Sequence, residues 1–95
     1  MKDQILIELS PGYALGFDNL QWIIYRAYFK LDTARLRPVA FIASTKAVLW
    51  RCIHENEIEL THEAVEYIDA MPDAFRAWYR WHKRRGALVP EQEAA

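Results

Sequence analysis

The chain has 95 residues, 53% of them hydrophobic, with four Trp, five Tyr and four Phe, so it is read as one domain that buries a single core rather than as a disordered polymer. Its formal net charge of −1 supplies no global attraction to nucleic acid or to an anionic membrane. No apolar run reaches membrane-spanning length, and the lone Cys52 cannot close an intrachain disulfide, which fits a reducing compartment.

In chain order, Met1-Lys2-Asp3-Gln4 leads directly into an alternating stretch, so no signal-peptide core is expected. Ile5, Ile7 and Leu9 alternate with Leu6 and Glu8 as a first strand. Ser10-Pro11-Gly12-Tyr13 has turn chemistry, with Pro fixing one φ and Gly free to take a positive one. A short strand follows, with Tyr13, Leu15 and Phe17 on one face and the small Ala14 and Gly16 on the other. Asp18-Asn19 marks the next turn. Gln21 to Lys30 is the longest strand; Ile23, Tyr25, Ala27 and Phe29 form its uncharged side, which is assigned to the core. Trp22, Ile24, Arg26, Tyr28 and Lys30 form the other side. A polar loop over 32–37 reaches Pro38, which suits a strand start or an edge, and a fourth strand runs through Ala43. Short links between successive strands predict an antiparallel meander.

Between Val39 and Ile53 the apolar period changes from two to 3.6. Ser44 stands at the junction as the expected N-cap of a helix over 45–54, whose inner face is Val48, Leu49, Cys52 and Ile53. Thr61 caps a second helix that buries Ala64, Val65 and Ile68, with Glu63 near the positive end of its dipole. Pro72 is placed at the first position of a third helix, which buries Phe75, Trp78, Tyr79 and His82 at i, i+3, i+4, i+7. Gly86 is read as its stop, and residues 87–95 as a loose tail. The expectation is a single α+β domain over 1–86: a four-stranded antiparallel sheet followed by three helices packed on one face. Its core is expected to include Ile23, Tyr25, Phe41, Val48, Leu49, Ile53, Ile68, Phe75 and Trp78.

Charge is segregated along the second half. Glu55, Glu57, Glu59, Glu63, Glu66, Asp69 and Asp73 occur in a stretch without Lys or Arg; Arg76, Arg80, Lys83, Arg84 and Arg85 follow in a stretch without acids. Glu63, Glu66 and Asp69, at i, i+3, i+6, fan over about 120° of the second helix, broadly opposite its apolar side. A solvated outer face has this pattern; so does a carboxylate stripe that docks on the basic groove of a partner protein, where complementary charge steers association. On the third helix Arg76, Arg80, Lys83 and Arg84 share a face suited to phosphates, although cations around a buried helix also arise from snorkelling. Trp22, Trp50 and Trp81 fall off the expected core faces and are candidate interface aromatics.

Catalytic patterns are missing from the sequence. His54, His62 and His82 belong to no motif, and Cys52-x-His54 lacks a second ligand pair for zinc. Ser44 lacks the glycines of a nucleophile elbow, and three scattered glycines make no phosphate loop. The protein is therefore expected to be no enzyme and to need no cofactor or metal.

The segments Asp18-x-x-Gln21-Trp22-Ile23, Val39-Ala40-Phe41-Ile42-x-Ser44 and Lys46-Ala47-x-Leu49-x-Arg51 resemble small orphan accessory proteins of tailed phages and prophages over about residues 5 to 55. The matching positions are mostly strand and core positions, so no functional residue is carried over. The resemblance implies a context: such proteins often bind a host protein, anti-CRISPR inhibitors being the best-known group. The first expectation is thus a non-catalytic protein of the host cytoplasm that inhibits a host protein complex, such as a CRISPR-Cas or other defence nuclease, through Glu63, Glu66 and Asp69. The alternative is a nucleic-acid-binding or regulatory protein that uses Arg76, Arg80, Lys83 and Arg84. No membrane partner is expected, and a homodimer is compatible with either.

Overall fold

Three kinds of turn chemistry fold the first half of the chain into a meander. At the first turn Gly12 takes φ +95, a conformation that side chains with a Cβ rarely adopt. At the second, Asp18 holds the turn closed: its carboxylate accepts from the amides of Leu20 (2.8 Å) and Gln21 (3.1 Å) and from the Gln21 side chain (3.3 Å). At the third, Leu31 and Asp32 both have positive φ, 52 and 66, between paired Lys30 and Thr33; this is the two-residue hairpin geometry that matches strand twist. The computed structural model describes the fold over residues 4–94 and the side chains of residues 5–84. Strands β1 (Gln4–Ser10), β2 (Tyr13–Phe17), β3 (Trp22–Lys30) and β4 (Thr33–Ile42) form one antiparallel sheet in sequential order. Helices α1 (Lys46–Glu55), α2 (His62–Asp69) and α3 (Phe75–Ala94) follow, so the domain is α+β in the order expected.

The face of the sheet that packs on the helices is the opposite of the one assigned from the sequence. Leu15 and Phe17 on β2, Trp22 and Ile24 on β3 and Ile42 on β4 join one buried cluster with Leu49, Ile53, Ala64, Ile68, Phe75 and Trp78. Arg26, Tyr28 and Lys30 lie on this same side of β3 by alternation, but farther along. The last β2 partner of β3 is Tyr13, opposite Arg26. Beyond it β3 and β4 continue alone as a two-stranded arm, so the charges that argued against this face stand outside the covered part of the sheet. Ile23 and Tyr25 are buried as expected, yet on the other face. On that face Phe41, placed in the core above, is 57% exposed and Phe29 is 76% exposed.

Strand β4 contains an irregularity. Ile24 pairs with Ala40, but Tyr25 pairs with Pro38, which leaves Val39 as an extra residue. Pro38 thus sits beside a bulge on an edge strand, where its missing amide costs no ladder bond.

Helix α1 begins one residue later than expected. Its N-cap is Thr45 rather than Ser44, and no side chain caps it. A main-chain exchange with the start of α3 replaces the cap: Lys46 N–H donates to the Asp73 carbonyl (2.6 Å) and Phe75 N–H to the Ser44 carbonyl (2.8 Å). Val48 is only half-buried against the core. In α2 the Thr61 hydroxyl accepts from Ala64 N–H at 3.1 Å, the expected cap. Ala64 and Ile68 are buried, but Val65 is 40% exposed and Tyr67 covers part of the core instead. Lys46 Nζ closes the far end of α2 by donating to the Asp69 carbonyl at 2.9 Å.

Helix α3 starts at Phe75, so Pro72 precedes it rather than occupying its first position. The helix runs past Gly86; an interior glycine costs about 1 kcal/mol but does not by itself end a helix. Side chains beyond Arg84 lie outside the described residues, while the backbone of α3 runs on to Ala94, through nearly all of the stretch read as a tail over 87–95. The inner side of α3 fastens the domain through rings. Phe75 meets Trp22 edge-on at 5.3 Å, Trp78 meets Phe17 at 5.0 Å, and His82 stacks on Trp78 at 4.9 Å. Among the described residues no helix is long and apolar enough to cross a membrane.

Candidate functional site: a cationic concavity on the third helix

The ring cluster fixes how α3 is rotated. With Phe75, Trp78 and His82 turned inward, residues one position on from Phe75 and its turn-repeats face out. Arg76, Arg80, Lys83 and Arg84 are all exposed, and all four line one open concavity of about 820 Å³. Its other walls are Phe75 and Tyr79 from the same helix, Asn19 and Leu20 from the β2–β3 turn, and Ala43 at the end of β4. The Asp18 hydrogen bonds that close this turn therefore also set one wall of the site. None of these lining residues is acidic.

Arg76, Arg80 and Arg84 repeat at i, i+4, i+8, an arrangement in which neighbouring like charges destabilise a helix by about 0.2–0.5 kcal/mol per pair. No described carboxylate forms an ion pair with any of them; the described ion pair is His62–Glu66, at 2.9 Å on α2. Lys83 Nζ lies 5.5 Å from the centroid of the Tyr79 ring, which gives the ammonium an aromatic neighbour but no counter-charge. Tyr79 in turn stacks on Phe75 at 5.5 Å and 21°. The arrangement is a row of cations on a firm aromatic base, with a concave shape that can receive an anionic chain.

The other expected site residues are placed differently. Glu63, Glu66 and Asp69 are all exposed on α2, so the acidic stripe exists as a surface; Glu66 is paired with His62 across one turn. The three tryptophans do not form a surface. Trp22 is 0% exposed and belongs to the core, because its face of β3 is the covered one. Trp50 is half-buried against the same core, and Trp81 is exposed on α3. Among the described residues no three His, Cys, Asp or Glu side chains gather as metal ligands. A second group of cations had not been singled out from the sequence: Arg26, Lys30, Arg35 and Arg37, all exposed on the β3–β4 arm. Within each strand they keep the two-residue period, Arg26 with Lys30 and Arg35 with Arg37, but that both pairs share one side follows only from the register between the strands. No protein-family model, curated protein or solved structure matches the chain.

Proposed function

We propose that this protein acts by binding rather than by catalysis, and that the concavity on α3 holds the sugar–phosphate backbone of a nucleic acid. The observation that carries the reading is the convergence of Arg76, Arg80, Lys83 and Arg84 on one concave surface whose described lining residues include no acid. Each phosphate neutralised there releases condensed counterions, so affinity comes mainly from the cations and falls with salt. The net charge of −1 does not oppose this, because seven of the acids are concentrated between Glu55 and Asp73, away in sequence from the basic helix. The test is a fluorescence-anisotropy titration of labelled single-stranded and duplex oligonucleotides with the wild type and with the variant R76A/R80A/K83A/R84A. Wild-type binding that the variant loses supports the reading. Equal binding by both proteins, or none by the wild type at low salt, refutes it.

A second reading is favoured by the exposed Glu63, Glu66 and Asp69, on a helix without Lys or Arg. In that reading the protein is a phage- or prophage-type inhibitor whose carboxylates occupy the basic groove of a host defence nuclease complex. Complementary charge would raise its association rate above all. Recovery of a protein partner that survives nuclease treatment, and is lost on reversing the three acids to Lys, supports this reading over the first.

A further inference from the structure

The β3–β4 arm has two faces of opposite character, and neither is explained by the core. Beyond the Arg26–Tyr13 pair, the register continues Ala27–Leu36, Tyr28–Arg35, Phe29–Ala34 and Lys30–Thr33. Ala27 N–H still donates to the Gly12 carbonyl at 2.8 Å, and the three pairs beyond it, at 3.3–3.4 Å per residue, make a free ribbon about 10 Å long. One face carries Arg26 opposite Arg37, Tyr28 opposite Arg35, and Lys30 near the tip. Directly opposed like charges destabilise a strand pair, and no described carboxylate pairs with any of these cations. Asp32, in the turn, is the sole acid between positions 26 and 37. The other face and the tip carry Phe29, Leu31 and Leu36, with Leu31 91% exposed in a left-handed conformation that a bulky residue seldom adopts.

The two-residue turn at Leu31 and Asp32 sets the register of the cationic face, and the bulge at Val39 lets β4 put Ala40 and Ile42 on the same side, toward the core. Without an extra residue, the alternation from Ala40 and Ile42 would continue through Pro38, Leu36 and Ala34 instead of Arg37 and Arg35.

We propose that the β3–β4 arm is a second nucleic-acid contact and that it enters the major groove of duplex DNA. Two strands 4.7–4.9 Å apart with their side chains suit a groove about 12 Å wide and about 8.5 Å deep, which admits a two-stranded ribbon. Entering tip first, Arg26, Lys30, Arg35 and Arg37 meet the phosphates that border the groove, while Leu31 at the tip faces base edges, where thymine methyl groups offer apolar contact. Duplex RNA is a poor fit because its major groove is deep and narrow. The proposal uses a surface separate from α3, and each can fail alone.

The experiment titrates wild type, the arm variant R26A/R35A/R37A and the α3 variant R76A/R80A/K83A/R84A against labelled duplex DNA, duplex RNA and single-stranded DNA of one length. Circular dichroism melts confirm folding, and methylation protection of guanine N7 on duplex DNA bound to wild type reports the major groove independently of any variant. The arm variant is expected to lose on the order of 10-fold or more in duplex DNA affinity and about 2.7 in the magnitude of its log–log salt slope, for three phosphates at 0.9 each. Its affinity for single strands is expected to stay near that of wild type, and N7 protection is expected with wild type. Unchanged duplex affinity in the arm variant, or absence of N7 protection, overturns the proposal. Loss in the α3 variant alone leaves the concavity reading intact and removes the arm. An arm-dependent dimer of the free protein in sedimentation overturns it too, since the arm would then be covered by a second copy.

Discussion

Replacing Trp22 tests which face of the sheet is the core. Its side chain is fully buried, meets Phe75 edge-on at 5.3 Å and lies 5.8 Å from Trp78. Trp22→Ala removes the largest ring that the sheet contributes to the core, at about 3–5 kcal/mol. Against a total of about 5–15 kcal/mol for a domain, that is a large share. At 4–8 °C per kcal/mol the melting temperature should fall by roughly 12–40 °C. The indole N–H is buried without a hydrogen-bond partner, an arrangement that already costs stability. Trp22→Phe keeps a ring against Phe75 and removes that donor, so it should cost less than Trp22→Ala. Phe29→Ala, at an exposed position on the other face, should change stability by no more than about 0.5 kcal/mol. Urea titrations followed by circular dichroism at 222 nm compare the three variants without relying on Trp fluorescence. A neutral Trp22→Ala beside a strongly destabilising Phe29→Ala would refute the assignment of faces.

Two further outcomes follow from the helices. Thr61→Ala removes the side-chain acceptor of the Ala64 amide and should cost about 0.5–2 kcal/mol in the same titration, whereas Ser44→Ala, which removes no cap, should be close to neutral. The triple reversal E63K/E66K/D69K should leave the domain folded at a loss of about 1–2 kcal/mol, from the carboxylate at the start of α2 and the His62–Glu66 pair. A thermal melt showing a loss of more than about 3 kcal/mol would mean that the stripe holds the fold together instead of facing solvent.

Local signals in the sequence place most of the elements, although residues 33–37, read as a polar loop, are the first half of β4. The change of period near Ser44, the turn residues at Gly12 and Asp18, and the cap at Thr61 each act over a few residues, and each appears where the sequence puts it. The i, i+4 repeat of Arg76, Arg80 and Arg84 likewise gives a shared helix face without tertiary information. What long-range pairing decides was not legible. Counting charges along the whole of β3 gave the wrong core face, because where β2 stops, not the polarity of β3, limits the covered part. The bulge at Val39 leaves no trace in composition, and it is what lets Ala40 and Ile42 reach the core on the side that Arg35 and Arg37 share with Arg26. Ser44 looked like a cap because the Asp73 carbonyl that satisfies the Lys46 amide lies 27 residues away in sequence. For the same reason Asn19, Leu20 and Ala43 could not be foreseen as walls of the α3 concavity.

The salt dependence of nucleic-acid binding tests the central claim most directly. If Arg76, Arg80, Lys83 and Arg84 neutralise four phosphates of a single strand, log K should fall against log salt concentration with a slope of about −2.8, at 0.7 per contact. The account predicts that slope for the wild type on single-stranded DNA and a nearly flat line for R76A/R80A/K83A/R84A. A wild type that binds with no salt dependence, or a variant that retains the full slope, would contradict it.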